Sequence, residues 1–226
     1  MPGTLYVVAT PIGNLSDASP RSHEILRSVD AIACEDTRVT SKLLAAAGIS
    51  RTLIAYHQHS DDSRVQEILA LLEEGKDIAL VTDAGTPAIS DPGGMLVRDV
   101  VNAFGNEVKI IPIPGPSACI AALSVSGFPA DKFVFLGFPP HKKGRNTWFK
   151  ELAERPETVV FYESTHRIEK TLEQMAEVAP ERALVVCREL TKMYETTYRG
   201  TAADVVAALK ASSDKGEFVI VVGPQN

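Results

Sequence analysis

Residues 5–15 read Leu-Tyr-Val-Val-Ala-Thr-Pro-Ile-Gly-Asn-Leu, an apolar run that passes directly into a turn containing a proline and a glycine. Nearly continuous apolar runs without polar alternation are typical of strands that are covered on both faces of a sheet. The pattern recurs along the chain and predicts strands at Leu5–Ala9, Ala31–Cys34, Leu53–Tyr56, Ile78–Thr82, Val108–Pro112, Lys132–Leu136, Thr158–Tyr162, Ala183–Cys187 and Phe218–Val222.

Segments with apolar residues at helical spacing lie between several of these strands. Strands that alternate with helices predict an α/β protein. At Pro114-Gly115-Pro116 two prolines around a glycine prevent a helix from continuing. We therefore predict two α/β domains, residues 1–113 and 114–226. The helical segments are Pro20–Val29, Ser63–Glu74, Thr165–Val178 and Ala202–Lys210.

The composition is that of an ordinary globular protein. The 226 residues are 45% hydrophobic and carry a net charge of −6, which argues against a dedicated nucleic-acid coat without excluding a local basic face. The three cysteines are odd in number and far apart, so no disulfide framework or metal site is expected and a reducing, cytoplasmic location is favoured. No apolar stretch approaches the roughly 20 residues that cross a bilayer, so no membrane partner is expected.

Four turn-rich segments follow predicted strands, where open α/β sheets bind ligands. Taken alone, the first is more typical of an ordinary turn, whereas the second, with three glycines, two prolines and two aspartates, is richer than a connection needs. The third is the proposed hinge, which also fits a rigid linker. The fourth fits a helix cap formed by Ser164 or Thr165. A cap alone and a cap combined with a ligand site fit this segment about equally well. These segments are Val8–Leu15, Val81–Gly94, Pro112–Ala118 and Phe161–Arg167.

Two further polar clusters, Cys34–Arg38 and Cys187–Lys192, come directly after strands, and His57 follows another. Adjacent acids and bases often form local salt bridges, and a lone histidine is more often structural than catalytic. The same positions nevertheless deliver side chains to the ligand-binding edge of a sheet. No zinc-hydrolase or acyl-enzyme motif is present, so neither chemistry is supported.

Together and in chain order, these segments resemble the tetrapyrrole-methylase-like (class III) methyltransferases, in particular those that modify ribosomal RNA. The resemblance implies two α/β domains with mixed sheets flanked by helices, and S-adenosylmethionine bound in the cleft between them. It also implies a homodimer that methylates the 2′-oxygen of a cytidine in 16S rRNA, without a metal. The likeness is carried by residues 5–15, Cys34–Arg38, Asp83–Gly93, Pro114–Ala118, Phe161–Arg167 and Arg188–Lys192.

Residue roles follow from the resemblance position by position. The implied cofactor contacts are Pro11, Ile12, Ala84, Gly85, Thr86, Ile89, Ser117, Ala118, Tyr162 or Glu163, and Leu190. A ribose hydroxyl is a poor nucleophile, so a base or polarising group is expected, and the candidates at strand ends are Glu35, Asp36 and Lys192. Expected substrate-side residues are Arg38, His57, Lys142, Lys143 and Arg145.

Other functions remain open from the sequence. A methyltransferase of the same fold could act on a tetrapyrrole or a protein, and a non-catalytic module could bind cofactor or RNA during subunit assembly. The sequence ends at residues 223–226, whereas some relatives continue into a further C-terminal segment. That further segment could bind RNA in those relatives. We therefore expect the substrate of this chain to be an assembled small ribosomal subunit.

Overall fold

The computed structural model describes residues 1–57, 62–91, 93–212 and 215–225. The chain divides into two compact units, residues 1–117 and 118–226. The division that we predicted after residue 113 falls at the end of a strand, Lys109–Ile113, and the hinge sequence Pro114–Ser117 belongs to the first unit. In the described part of the chain, no helix combines the length and apolar character needed to cross a bilayer.

The first unit is a five-stranded sheet in which every pairing is parallel. Its strands are β1 (Thr4–Val8), β2 (Ala31–Cys34), β3 (Thr52–Ala55), β4 (Ile78–Leu80) and β5 (Lys109–Ile113), in the order β3-β2-β4-β1-β5. The helices are α1 (Pro20–Ser28), α2 (Thr37–Ala46), α3 (Asp62–Glu73) and α4 (Gly93–Phe104). Each helix connects two strands, so this sheet is wholly parallel and the prediction of a mixed sheet is wrong for this unit.

Two apolar clusters cover the opposite faces of this first sheet. Leu5 and Leu80 pack with Ile68 of α3 and Leu96 of α4. The alternate residues of the same strands point to the opposite face of the sheet. There they pack with α1 and α2. The prediction of strands buried on both faces is therefore confirmed.

The second unit contains a mixed five-stranded sheet. Its strands are β6 (Phe133–Phe135), β7 (Thr158–Ser164), β8 (Leu184–Arg188), β9 (Thr196–Gly200) and β10 (Glu217–Val222), in the order β6-β7-β10-β8-β9, and only the β6–β7 pairing is parallel. The helices are α5 (Ala118–Ser126), α6 (Arg145–Glu154), α7 (Ile168–Val178) and α8 (Ala202–Ala211). Phe149, Phe161 and Leu172 belong to the core beneath α6, α7 and α8, and Cys119 of α5 packs on the opposite face.

The helix starts show how local sequence sets the element boundaries. Ser19 caps α1 by accepting a hydrogen bond from the amide of Ser22, and Thr201 caps α8 in a reciprocal capping box with Asp204. The predicted cap of α7 is wrong, because that helix begins after Arg167. Thr165 instead exchanges hydrogen bonds with the backbone of Gly216 and so holds β7 beside the start of β10.

Arg182 is a buried cation that ties three elements of the second unit together. Its guanidinium donates to the carbonyl oxygens of Gly223 at 2.7 Å, Leu152 at 3.0 Å and Glu157 at 3.0 Å. These carbonyls lie at the end of β10, in α6 and just before β7. Burial lowers the pKa of Arg182, and the carbonyl dipoles offset part of its desolvation.

Replacing Arg182 with methionine keeps the apolar stem and removes all of these donors. We expect Arg182→Met to lower the free energy of unfolding by about 3 kcal/mol, because buried carbonyls are left without partners. Denaturant titration measures the change. Arg64→Met, at an exposed ion pair with Glu67, is the matched control and should change stability by less than about 0.5 kcal/mol. Equal losses in the two variants would show that Arg182 is not a structural tie.

Candidate functional site

Two of the predicted loops are joined by a pair of backbone hydrogen bonds in the first unit. The amide of Thr10 donates to the carbonyl of Gly85 at 2.8 Å, and the amide of Gly85 donates to the carbonyl of Thr10 at 3.1 Å. The Thr10 hydroxyl also donates to the carbonyl of Thr82 at 3.1 Å. The loops after β1 and β4 therefore form one surface at the carboxyl edge of the sheet.

Glycine is required where these loops meet. Gly85 has φ +90°, a conformation that favours glycine, and a Cβ there would lie 3.5 Å from Ile12 Cγ2 and 3.8 Å from the carbonyl of Pro116. A Cβ on Gly115 would lie only 2.9 Å from Cβ of Ala9. Small residues thus allow the loops after β1, β4 and β5 to pack closely together.

The loop after β5 is also held by a side chain. Thr86 donates its hydroxyl hydrogen to the carbonyl of Pro116 at 3.1 Å. Several predicted cofactor contacts lie in the first unit, the first at Pro11 and the last at Ser117. They are carried by loops that contact one another. Pro92, which belongs to the second of the predicted loops, lies outside the described residues.

Two predicted contact residues are each flanked by left-handed residues that are not glycine. Ala88 and Ser90, at φ +73° and +63°, flank Ile89, whose side chain is 44% exposed. In the second unit, Glu189 and Thr191, at φ +52° and +67°, flank Leu190. Such conformations cost on the order of 1–3 kcal/mol each and cluster at functional sites. The backbone therefore presents Ile89 and Leu190 in constrained positions.

Three carboxylates lie around Thr82: Asp83 and Asp91 from its own loop, and Glu35 from a distant part of the chain. The Thr82 side chain is 4% exposed, and its hydroxyl lies 3.5 Å from Glu35 Oε2 and also bonds Asp91. Burial, followed by the charge of Asp83, raises the pKa of Glu35. Burial and the charges of Glu35 and Asp83 raise the pKa of Asp91 to about 6. Like charges that share a poorly solvated space resist ionising together.

Asp83 and His57 complete the surroundings of Glu35. Burial raises the pKa of Asp83, and its Oδ1 accepts a hydrogen bond from the amide of Asp36 at 3.1 Å. The charge of His57 acts in the opposite direction and lowers the pKa of Glu35. No group of three or more histidine, cysteine, aspartate or glutamate side chains is arranged to hold a metal within the ranges that the structure describes.

The other two candidate catalytic residues have different electrostatics. Asp36 caps α2 and pairs with Arg38 at 2.6 Å, and hydrogen bonds from the Arg38 side chain and amide lower the pKa of Asp36 to about 2. Lys192 contacts Glu189 at 3.0 Å and Glu217 at 2.8 Å. Burial acts to lower the pKa of Lys192, but these hydrogen bonds outweigh it and raise the pKa. Lys192 is therefore a cation at neutral pH and not a base.

Two predicted site residues are buried partners of each other. Glu163 is 1% exposed and pairs with Arg167 at 2.7 Å and with Arg145 at 4.0 Å. Arg145 is 7% exposed, so its predicted place on an exposed basic surface is wrong.

The Glu163 carboxylate is enclosed, so Tyr162 is the better of the two alternative cofactor contacts. The Tyr162 hydroxyl accepts a hydrogen bond from the amide of Cys119 at 3.1 Å. Lys142 and Lys143 are exposed as predicted.

Thr82, Asp83 and Asp91 were not predicted individually from the sequence. All three lie in the second turn-rich loop, but Glu35 lies 47 residues before Thr82 in the chain. The two aspartates of the loop were a signal for this cluster, because a connection between strand and helix needs no carboxylates.

The chain is similar to known proteins over nearly its whole length. Residues 4–206 match the family described as Tetrapyrrole (Corrin/Porphyrin) Methylases. Proteins named Ribosomal RNA small subunit methyltransferase I are 50% identical in Xylella fastidiosa (strain Temecula1), over 98% of this chain and 81% of that protein, and 46% identical in Escherichia coli O157:H7, over 97% and 77%. The Bacillus subtilis (strain 168) protein of this name is 44% identical, over 99% and 76%.

Solved structures show the same fold at low sequence identity. The cobalt precorrin-4 methyltransferase CbiF superposes with a TM-score of 0.70 at 19% identity, covering 97% of this chain and 94% of that one. Uroporphyrin-III C-methyltransferase from Thermus thermophilus, solved in complex with S-adenosyl homocysteine, gives a TM-score of 0.65 at 15% identity, covering 97% of each chain.

The raised pKa of Asp91 predicts how its replacement changes stability with pH. A carboxyl whose pKa rises from 3.8 to about 6 on folding holds its proton better when folded, so its contribution to stability is lost as pH rises through that range. We expect Asp91→Asn to stabilise the protein at pH 8 by roughly 1 kcal/mol after allowance for solvent screening, and by nearly nothing at pH 4.

Denaturant titrations at the two pH values measure this difference. Asp131→Asn, at an exposed position, changes the net charge equally and serves as the control. The same stability change for Asp91→Asn at both pH values would contradict the burial of its charge.

Proposed function

Because this chain belongs to the tetrapyrrole methylase family, we propose that it transfers a methyl group from S-adenosylmethionine to the 2′-oxygen of a cytidine ribose in 16S rRNA. The observation that carries the choice of acceptor is the likeness over nearly the whole chain to proteins named for small-subunit rRNA methylation. The solved tetrapyrrole methyltransferases share only the fold at this level of identity.

The three touching loops of the first unit fit the cofactor. The close approach of Gly115 to Ala9 and the positive φ of Gly85 hold these loops together as one surface, which carries the proposed cofactor contacts of the first unit. S-adenosylmethionine supplies an activated methyl group on a sulfonium. In our proposal, the residues that bind and orient it are Pro11, Ile12, Ala84, Gly85, Thr86, Ile89 and Ser117 of the first unit, and Ala118, Tyr162 and Leu190 of the second.

Glu35 is the proposed acceptor of the ribose hydroxyl proton. A general base is most effective when its pKa lies near the working pH, and burial with the neighbouring Asp83 moves the pKa of Glu35 in that direction. Asp36, with a pKa of about 2, is a far weaker proton acceptor, and Arg38 holds it at the start of α2. Lys192 stays protonated and would stabilise negative charge.

The remaining candidates concern the substrate and the assembly. Arg38 and His57 are exposed and are proposed to contact the RNA on the side of Glu35. We further propose that the protein is a homodimer, that it acts in the cytoplasm because its substrate is made there, and that the acceptor is presented within an assembled small subunit. A large folded substrate supplies many phosphates, so a chain with a net charge of −6 needs only a local basic face.

A small side chain at Gly85 tests the cofactor loops. We expect Gly85→Ala to weaken S-adenosylmethionine binding at least tenfold, because alanine is strained at a φ of +90° and the loop that carries the proposed contacts must shift to relieve this strain. Isothermal titration calorimetry measures the affinity. Gly48→Ala is the matched control, since Gly48 also has a positive φ but has open space around it. Equal affinities in the two variants would remove Gly85 from the proposed site.

Replacing Glu35 tests the proton acceptor. We expect Glu35→Gln to lower kcat for methylation of small subunits at least 100-fold, and Asp36→Asn to lower it less than tenfold. In the wild type the rate should rise with pH as Glu35 loses its proton. Asp83→Asn removes the like charge that raises the pKa of Glu35, so this rise should move to lower pH.

Transfer of the methyl group from labelled cofactor to subunits lacking the modification measures these rates. A Glu35→Gln variant that matches the wild type in kcat would place the proton acceptor elsewhere. The same assay with a tetrapyrrole acceptor separates the two acceptor classes: label in the tetrapyrrole and none in 16S rRNA would overturn the proposed substrate.

A further inference from the structure

Residues 137–144, here called the basic loop, connect β6 to α6 with the sequence Gly-Phe-Pro-Pro-His-Lys-Lys-Gly. The loop lies in a strongly biased part of the chain, because residues 132–150 contain five lysines and arginines and neither aspartate nor glutamate. This stretch is positive in a protein whose net charge is −6. Its function is not explained by the cofactor loops or by the carboxylates around Thr82.

The basic loop is held from the inside of the second unit by two arginines. Arg167 donates to the carbonyl of Pro139 at 2.9 Å, and Arg145 donates to the carbonyl of Pro140 at 3.1 Å. Prolines have no amide hydrogen, so the backbone of Pro139 and Pro140 can form hydrogen bonds only through its carbonyls, and these accept from the two arginines. The loop is thus fixed to the end of β7 and to α7 through side chains.

Glu163 holds the two arginines in place. Its carboxylate pairs with Arg167 at 2.7 Å and with Arg145 at 4.0 Å, and accepts a hydrogen bond from the Thr171 hydroxyl at 2.6 Å. Arg145 in turn donates to the Thr171 hydroxyl at 2.7 Å. A buried charge cluster costs desolvation energy and is weak evidence for stability alone. Here it has a second effect, since it orders the backbone of an exposed loop.

The outer side of the loop presents one aromatic ring and several cations. Phe138 is 52% exposed, and its ring lies edge-to-face with Tyr162 at a centroid distance of 5.5 Å. His141, Lys142 and Lys143 are exposed beside it in the sequence. Proteins that bind unpaired nucleic acid combine an aromatic ring, which stacks on a base, with cations that contact the backbone phosphates.

We propose that the basic loop binds an unpaired segment of RNA, with Phe138 stacked on a base and Lys142 and Lys143 on adjacent phosphates, and that Glu163 positions the loop through Arg145 and Arg167. This inference deepens the proposed function and rests on it for the identity of the RNA. Phosphate binding accounts for the two adjacent lysines, and the exposed ring of Phe138 beside them can stack on a base. Arg145 and Arg167 act on the loop and not on the RNA.

Binding of a labelled, unstructured RNA of about 12 nucleotides tests the loop without requiring turnover. We expect Lys142→Ala/Lys143→Ala to reduce the slope of log Kd against log salt concentration by about 1.4, because two phosphate contacts are lost. Phe138→Ala should weaken binding about tenfold with the slope unchanged. Lys132→Ala/Lys170→Ala removes the same charge from exposed positions outside the loop and should keep the wild-type slope.

The role of the buried cluster is tested at Arg167. We expect Arg167→Met to raise KM for small subunits severalfold while kcat at saturation and cofactor affinity stay unchanged, because the loop loses its order and the reaction centre does not. Arg167→Lys keeps the ion pair with Glu163, so its KM should lie between the KM of Arg167→Met and that of the wild type. A loss confined to kcat, or a fall in stability with KM unchanged, would overturn the positioning role.

The outcomes separate this inference from the proposed function. If the wild type methylates 16S rRNA but the loop variants bind RNA as the wild type does, the loop inference fails alone. If no rRNA is methylated while the binding changes occur as stated, the proposed reaction fails and the RNA-binding loop stands. A changed oligomeric state of Phe138→Ala with unchanged RNA affinity would identify a protein contact and overturn the inference.

Discussion

The pair of backbone hydrogen bonds between Thr10 and Gly85 is the contact on which the candidate site depends. It joins the loops that follow β1 and β4, and Gly85 and Gly115 permit the close packing that brings in the loop after β5. In a wholly parallel sheet, the carboxyl ends of the strands lie along one edge. Three loops far apart in sequence can therefore meet with small residues at their contacts.

The same edge explains the electrostatics of the first unit. Glu35 and Asp83 follow β2 and β4, which are neighbours in the sheet, and Asp91 comes back to the same hydroxyl of Thr82. Burial is the largest cause that raises the pKa of all three, and neighbouring carboxylates add to it. In the second unit, Glu163 is instead surrounded by cations and orders a loop. Carboxylates at strand ends thus have two different roles, decided by their neighbours.

The apolar pattern predicted most strands and both units, because burial on two faces demands continuous apolar runs. It missed β9, the polar edge strand Thr196–Gly200, whose residues are covered on one side at most. The prediction of substrate-side residues placed Arg145 on the surface, and the resemblance left Glu163 as an alternative cofactor contact. Residue type alone does not reveal that Arg145 and Glu163 are buried together, since the enclosing residues lie on other elements.

The α/β architecture, the glycine- and proline-rich loops after the strands and the family of the chain can all be read from the amino-acid sequence. These depend on local periodicity, on backbone freedom and on motifs that can be read in order. The folded structure was needed to show that Glu35 and Asp91 share Thr82 and that Asp36 and Lys192 are poor bases. It was also needed to show that Arg145 and Arg167 support the basic loop. The pKa of a group and its access to a ligand depend on residues that folding brings near, and these are distant in the chain.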